Sequence, residues 1–233
     1  MAYFGKISNF NDPVEGMIRK QKLIHGFSPF NDNDVISAAK ILYQNVKSNW
    51  IIPNWFSEGM REALSRSSPW EVFVELNSLI DKVDEYKNTL RVLCTTPTEM
   101  HSLMWAHYAD SHRGICIEYE VDFSSLPNGL ASVPVQYTNE LKSYLASSFI
   151  LSPEDLLSRL LFTKSSEWSY ESEWRFVLHN GNETLDLDER FRMVSVTAGY
   201  KCAKDTELRA LCNKKGLEFY KVRDQGIDGL VRV

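Results

Sequence analysis

The chain has 233 residues, 43% hydrophobic and 24% charged, with a formal net charge of −5. A chain of this length buries roughly 70% of its unfolded surface, so it needs no disulfide or metal staple to hold a core. The acidic balance excludes a dominant nonspecific nucleic-acid footprint, and no run approaches the roughly 20 apolar residues that span a bilayer.

Residues 1–16 are short on helix formers and end in turn chemistry. Asp12 can cap a helix and Pro13 suits its first position. Residues 33–48 place Val35, Ile36, Ala39, Leu42 and Val46 at helical spacing behind an Asn33 or Asp34 cap. Two further helices are expected over 57–66 and 70–89. In the second, Val72, Leu76, Leu79 and Val83 recur at three- and four-residue steps. Residues 1–89 therefore read as mainly helical.

Residues 90–233 read as strand-rich. A strand over 90–96 leads into Thr96-Pro97-Thr98-Glu99, which has the pattern of a capping box with proline at the first helical position. The helix so begun runs through Trp105 and Tyr108, ends near Gly114 and gives way to a strand over 114–120. A short strand follows at 133–137, an amphipathic stretch at 141–150, and a capped helix from Ser152 that delivers the chain to Lys164. A polar turn at 179–182, a strand over 192–197, a helix over 203–215 stopped by Gly216, and strands at 217–222 and 229–233 complete the chain. Helices first and strands later, with few regular βαβ units, imply a single α+β domain over 1–233. A mixed or antiparallel sheet would carry the helical N-terminal part.

The four cysteines (Cys94, Cys116, Cys202, Cys212) lack C-x-x-C spacing, which argues against zinc ligation. With no signal-like start, they read as reduced and mostly buried thiols of a cytoplasmic protein. No Walker, G-x-G-x-x-G or G-x-S-x-G pattern occurs. His101, His107 and His112 are not spaced to put two imidazoles on one helix face, and no metal set is expected. Cys94 or Cys116 with one of these histidines would make a thiol nucleophile, but both cysteines lie in apolar strand runs, where thiols are commonly inert. Glu118 and Glu120 with Lys164 are the residues a metal-dependent nuclease would use.

The densest stretch is K-S-S-E-W-S-Y-E-S-E-W-R-F-V at 164–177. Read as a strand, it points Glu171, Glu173 and Arg175 one way and Ser172, Trp174 and Phe176 the other. Carboxylates on a rigid strand suit acid–base or charge-stabilising work. The same pattern also describes a half-exposed edge strand with a charge ladder.

Three blocks carry a resemblance: F-N-D-P-V-E at 10–15, L-M-W-A-H-Y-A-D-S-H-R-G-I-C-I-E-Y-E at 103–120, and K-S-S-E-W-S-Y-E-S-E-W-R at 164–175. In these, in this order, the chain resembles the bacterial domain-of-unknown-function family 2971. The blocks imply ligand-positioning roles for Asn11, Asp12, Trp105, His107, Tyr108, Lys164 and Arg175. A second likeness is to ADP-ribosyltransferase folds, where a late E-x-E lies at a strand start beside NAD. It implies Glu173 as the catalytic carboxylate and Glu171 as the group that orients or deprotonates the acceptor, with NAD as substrate rather than cofactor. Family members carry an additional strand before F-N-D-P. The expectation is that this strand is missing here or that Tyr3 and Lys6 stand in for it. Three function classes follow: an NAD-binding enzyme of transferase type, a non-catalytic binding module of a defence or stress system, and a metal-dependent nuclease. The partner implied is a small-molecule or nucleotide ligand.

Overall fold

The computed structural model describes residues 2–6, 33–45, 47, 52–139, 158, 162–178, 184–186 and 188–233. Within these residues the chain is α+β. Two short strands, β1 (Ala2–Tyr3) and β2 (Gly5–Lys6), precede helices α1 (Asn33–Asn45), α2 (Asn54–Ser65) and α3 (Pro69–Lys87). Then come β3 (Arg91–Thr95), α4 (Ser102–Tyr108), β4 (Ile115–Val121), β5 (Leu130–Pro134), β6 (Gln136–Thr138) and β7 (Thr163–Ser165). A 3-10 turn at Ser166–Glu171 leads to β8 (Trp174–Leu178), followed by β9 (Thr184–Leu185), β10 (Phe191–Ala198), α5 (Asp205–Lys215), β11 (Glu218–Asp224) and β12 (Leu230–Arg232).

The three early helices form where the spacing predicts, with α2 and α3 starting slightly earlier. The start of α3 is fixed by a capping box. The Ser68 hydroxyl accepts from the Glu71 backbone N–H at 3.2 Å and the Glu71 carboxylate accepts from the Ser68 N–H at 3.2 Å. Val72, Leu76, Leu79 and Val83 are all buried along one stripe. Each such side chain contributes roughly 1.5–3 kcal/mol on leaving water. Helices α2 and α3 touch closely where Gly59 meets Leu79, since a Cβ at Gly59 would come within 2.7 Å of Leu79 Cδ1. Tyr86, near the end of α3, packs on Leu90, Val92, Phe162 and Val177, which seats the helical part on one face of a sheet.

That sheet is antiparallel, in the order β2-β3-β8-β5. A second four-stranded sheet, β12-β11-β10-β4, is mixed, because β10 and β11 run parallel. The two sheets pack through Phe4, Leu130, Phe176, Leu178 and Phe191. Phe176 and Phe191 meet edge-on, with centroids 5.1 Å apart. Two-stranded pairings β1-β9 and β6-β7 complete the strands described.

Three expectations are corrected. The capping-box pattern at Thr96 starts no helix. The Thr96 hydroxyl instead accepts from the Thr98 N–H at 3.1 Å, and Glu99 is drawn off to Arg232, so α4 begins only at Ser102. The 171–177 stretch is not one strand. Glu171 ends the 3-10 turn, Ser172 has φ +47°, and extended pairing starts at Trp174. Nor is it an edge, because β8 lies between β3 and β5. The amphipathic stretch at 141–150, nearly all of the helix after Ser152, the turn at 179–182, and Asn11 and Asp12 lie outside the described residues. Tyr3 lies in β1 and Lys6 in β2.

Candidate functional site

Strand alternation gives the two faces of β8 different duties. Trp174, Phe176 and Leu178 face the second sheet, while Arg175 and Val177 face the other way. Glu173, two residues before Arg175, shares the Arg175 side. The αL backbone of Ser172 turns the chain between Glu171 and Glu173, so both carboxylates converge on Lys164 from β7. The Lys164 ammonium donates to Glu171 at 2.7 Å and to Glu173 at 3.5 Å. Arg175 donates through Nε to one Glu173 oxygen at 2.8 Å and through a terminal nitrogen to the other at 3.1 Å. All four side chains are between 1 and 5% exposed. The charged row is thus buried, whereas the sequence pattern also fitted a half-exposed ladder.

Neighbours complete the cluster. The Tyr108 hydroxyl donates to the second Glu171 oxygen at 2.6 Å, which ties the end of α4 to the 3-10 turn. The Glu173 backbone N–H donates to the Tyr137 hydroxyl at 2.8 Å. Lys164 lies 4.8 Å from the Trp168 ring centre, and His107 packs edge-on against the same ring. Cys94 pairs across the sheet with Arg175, and its thiol donates to Glu173. Although Cys94 is exposed, protein atoms crowd it. That enclosure, with the Glu173 charge, holds its thiol well above the usual range. It is therefore neither buried, as the strand run suggested, nor an activated thiolate.

Burial pushes the Glu173 carboxyl above its ordinary value, against the pull of the Cys94 thiol and Lys164. Burial alone would lower Lys164, but Glu171 and Glu173 outweigh it and hold the ammonium above its ordinary value. Ion pairs this dry are stable only when every partner is present, because one unpaired member leaves a bare charge in a poor solvent.

On the opposite side of β8 the two sheets part to leave a cleft of about 690 Å³. Trp105, Tyr108, Tyr119, Phe123, Trp174 and Phe176 line it, with Glu99, Glu118 and Arg232 among its polar groups. Concave, mainly apolar spaces of this size with a few convergent polar groups are the usual form of a small-molecule site. Phe123 is 57% exposed at the cleft wall, stacked against Phe176 and tilted against Trp174.

The residues singled out by sequence divide accordingly. Glu171, Glu173, Lys164 and Arg175 form the buried cluster. Trp105 and Tyr108 line the cleft, and Tyr108 touches both regions. Trp105 is buried while Tyr108 is half exposed, so their shared helix face straddles core and surface. His107 stands outside on the aromatic surface. Tyr137, Cys94 and Arg232 were not picked out as site residues. A tyrosine in a short strand and an arginine next to the last residue give no local signal, since their partners lie far off in sequence. The nuclease set is dispersed: Glu118 is held by Ser195 and Arg232, Glu120 by Arg192, and Lys164 by Glu171 and Glu173. Among the described residues no group of three or more His, Cys, Asp or Glu could hold a metal ion.

The two convergent blocks fall inside a single family match. Residues 104–176 match the DUF2971 family, proteins of unknown function. The DUF2971 likeness read from the W-A-H-Y and Y-E-S-E-W-R blocks is therefore shown over this stretch. The F-N-D-P block lies before the matched residues. No curated protein and no solved structure matches the chain. No helix among the described residues is long and apolar enough to cross a membrane.

Proposed function

We propose that this protein binds a small ring-shaped ligand in the cleft between its two main sheets, and that Glu171 and Glu173 hold the wall of that cleft rather than carry chemistry. One observation carries the reading: β8 turns Trp174 and Phe176 into the cleft and Arg175, with Glu173, to the other side. Electrostatic catalysis on a developing cation needs a carboxylate aimed at the reacting atoms. Glu173 instead spends both oxygens on the Arg175 fork, with Lys164 as a further donor. The cluster's influence on the ligand runs through Tyr108, whose hydroxyl it fixes at the cleft wall.

The second reading is the transferase, with NAD as substrate and Glu173 as its main carboxylate. It draws on two observations, the contact between Tyr108 and Glu171 and the raised Glu173 carboxyl. One experiment separates them. Glu173→Gln strands Lys164 and Arg175, so binding-module use predicts a loss of about 3–5 kcal/mol, a fall in Tm on the order of 10 °C. Wild-type protein incubated with NAD should release no nicotinamide above background. Release by wild type that disappears in a Glu173→Gln variant of unchanged Tm establishes the transferase instead.

A further inference from the structure

The cleft's charged groups are not evenly divided: two carboxylates, Glu99 and Glu118, stand against one cation, Arg232, among the described lining residues. Several side-chain donors on its wall are already directed into the protein. Trp105 Nε1 donates to the Glu99 carbonyl at 2.6 Å, and the Thr95 hydroxyl donates to the Trp174 carbonyl at 3.3 Å. Tyr108 gives its proton to Glu171. Arg232 donates to Glu99 at 2.9 Å and Glu118 at 3.2 Å, and its guanidinium is stacked 3.7 Å from the centre of the Tyr220 ring. Among the described lining residues Arg232 is the cation, and two carboxylates share it. Nearby Lys164 and Arg175 are matched one for one by Glu171 and Glu173. A ligand entering this space therefore meets aromatic faces, carboxylate acceptors and a local excess of negative charge.

We infer that the cleft takes a flat aromatic ligand bearing a cationic or hydrogen-donating group, and rejects anionic ligands, phosphorylated ones included. This rests on the cleft being the binding site. Three physical terms act together. Aromatic walls attract a cation through their ring faces. Carboxylates accept charge-assisted hydrogen bonds from it. An anion would instead be desolvated beside Glu99 and Glu118, with the Arg232 guanidinium already shared between them. The pyrophosphate of a dinucleotide is the kind of group so disfavoured. Phe123 and Trp174 supply the stacking surface, and Glu118 supplies charge beside it.

The test is a ligand-observed NMR titration of the full chain with two probes that share one ring, tryptamine and indole-3-propionate. Tryptamine should bind at least tenfold more tightly. Phe123→Ala should weaken it several-fold, and Glu118→Gln should narrow the gap between the probes. Phe123 is exposed and Glu118 half exposed, so both variants should fold, and circular dichroism checks that. Equal or tighter binding of indole-3-propionate, still weakened by Phe123→Ala, overturns the charge preference while leaving the cleft as the site. Binding of either probe that ignores Phe123→Ala, or no binding of either at millimolar concentration, overturns the preference and the cleft reading together.

Discussion

Cys94 is exposed and yet poorly poised to react, which makes it a reporter on the buried charges behind it. Its thiol sits beside the Glu173 carboxylate, and enclosure with that charge keeps it protonated well above its usual value of 9.0. Alkylation needs the thiolate. Iodoacetamide should therefore modify Cys94 in the folded protein far more slowly than a cysteine in a peptide at about pH 8–9, with the rate still climbing at the alkaline limit. Glu173→Gln removes the charge that opposes ionisation, so the profile should move to lower pH. Peptide mass spectrometry reads both effects. A wild-type Cys94 that reacts like a peptide thiol would show that Glu173 does not face it. At this scale the sequence was informative in kind and silent in pairing. Three glutamates, a lysine and an arginine within twelve positions announce a charge cluster, and E-x-E followed by W-R announces alternation. That Lys164 lies against both glutamates while Tyr108 closes the set from 63 residues away follows from tertiary packing, for which neighbouring residues give no cue.

Two elements depend on backbone that side-chain patterns conceal. Ser172 joins the 3-10 turn to β8 at φ +47°, in the left-handed region, and this kink lets Glu171 and Glu173 meet one lysine. Read as a continuous strand, the stretch would hold the two carboxylates in a row. Ser172→Val should cost roughly 1–3 kcal/mol, because a β-branched residue is poorly tolerated there. Ser172→Gly should be near neutral, since the strain it relieves offsets its added chain entropy. Ser172 is exposed, so lost packing does not confuse the comparison. Equal urea midpoints for the two variants would refute the conformational argument. The turn after α4 is a second case. Asp110, Ser111 and His112 all have positive φ, and the turn closes on Gly199, where an added Cβ would lie 2.0 Å from the His112 carbonyl oxygen. The Asp110–Gly114 stop was legible as polar turn chemistry. The need for glycine at 199 was not, because its partner lies in another part of the chain. The failed capping box at Thr96 teaches the same lesson. The residues can cap a helix, but Glu99 is worth more to Arg232 across the cleft end than to a backbone N–H.

Over the whole molecule, interior groups titrate in one direction on the alkaline side. Burial raises Tyr43, Tyr86, Tyr119 and Tyr137. It raises Cys94 as well and pushes Cys116 up to about 11, while the carboxylate pair raises Lys164. For each group the folded value exceeds the unfolded one, so the stability it contributes is complete below the unfolded value and is lost as pH rises through the folded value. The unfolded values are 9.0 for the thiols, 10.0 for the tyrosines and 10.5 for the lysine. Above about pH 9 the unfolded chain thus releases protons that the fold retains, and each such group withdraws stability until pH passes its folded value. The urea midpoint should be level through neutrality and fall with increasing steepness above about pH 9, as the tyrosines follow the thiols. Tyr43→Phe isolates one contribution. Its hydroxyl is fully buried and meets no hydrogen-bond partner among the described residues. Its removal should therefore be neutral or slightly stabilising at pH 7 and should make the alkaline fall shallower. A wild-type midpoint unchanged to about pH 10.5 would mean that water reaches these side chains and that the helical layer over the sheet is not the closed seal its packing implies.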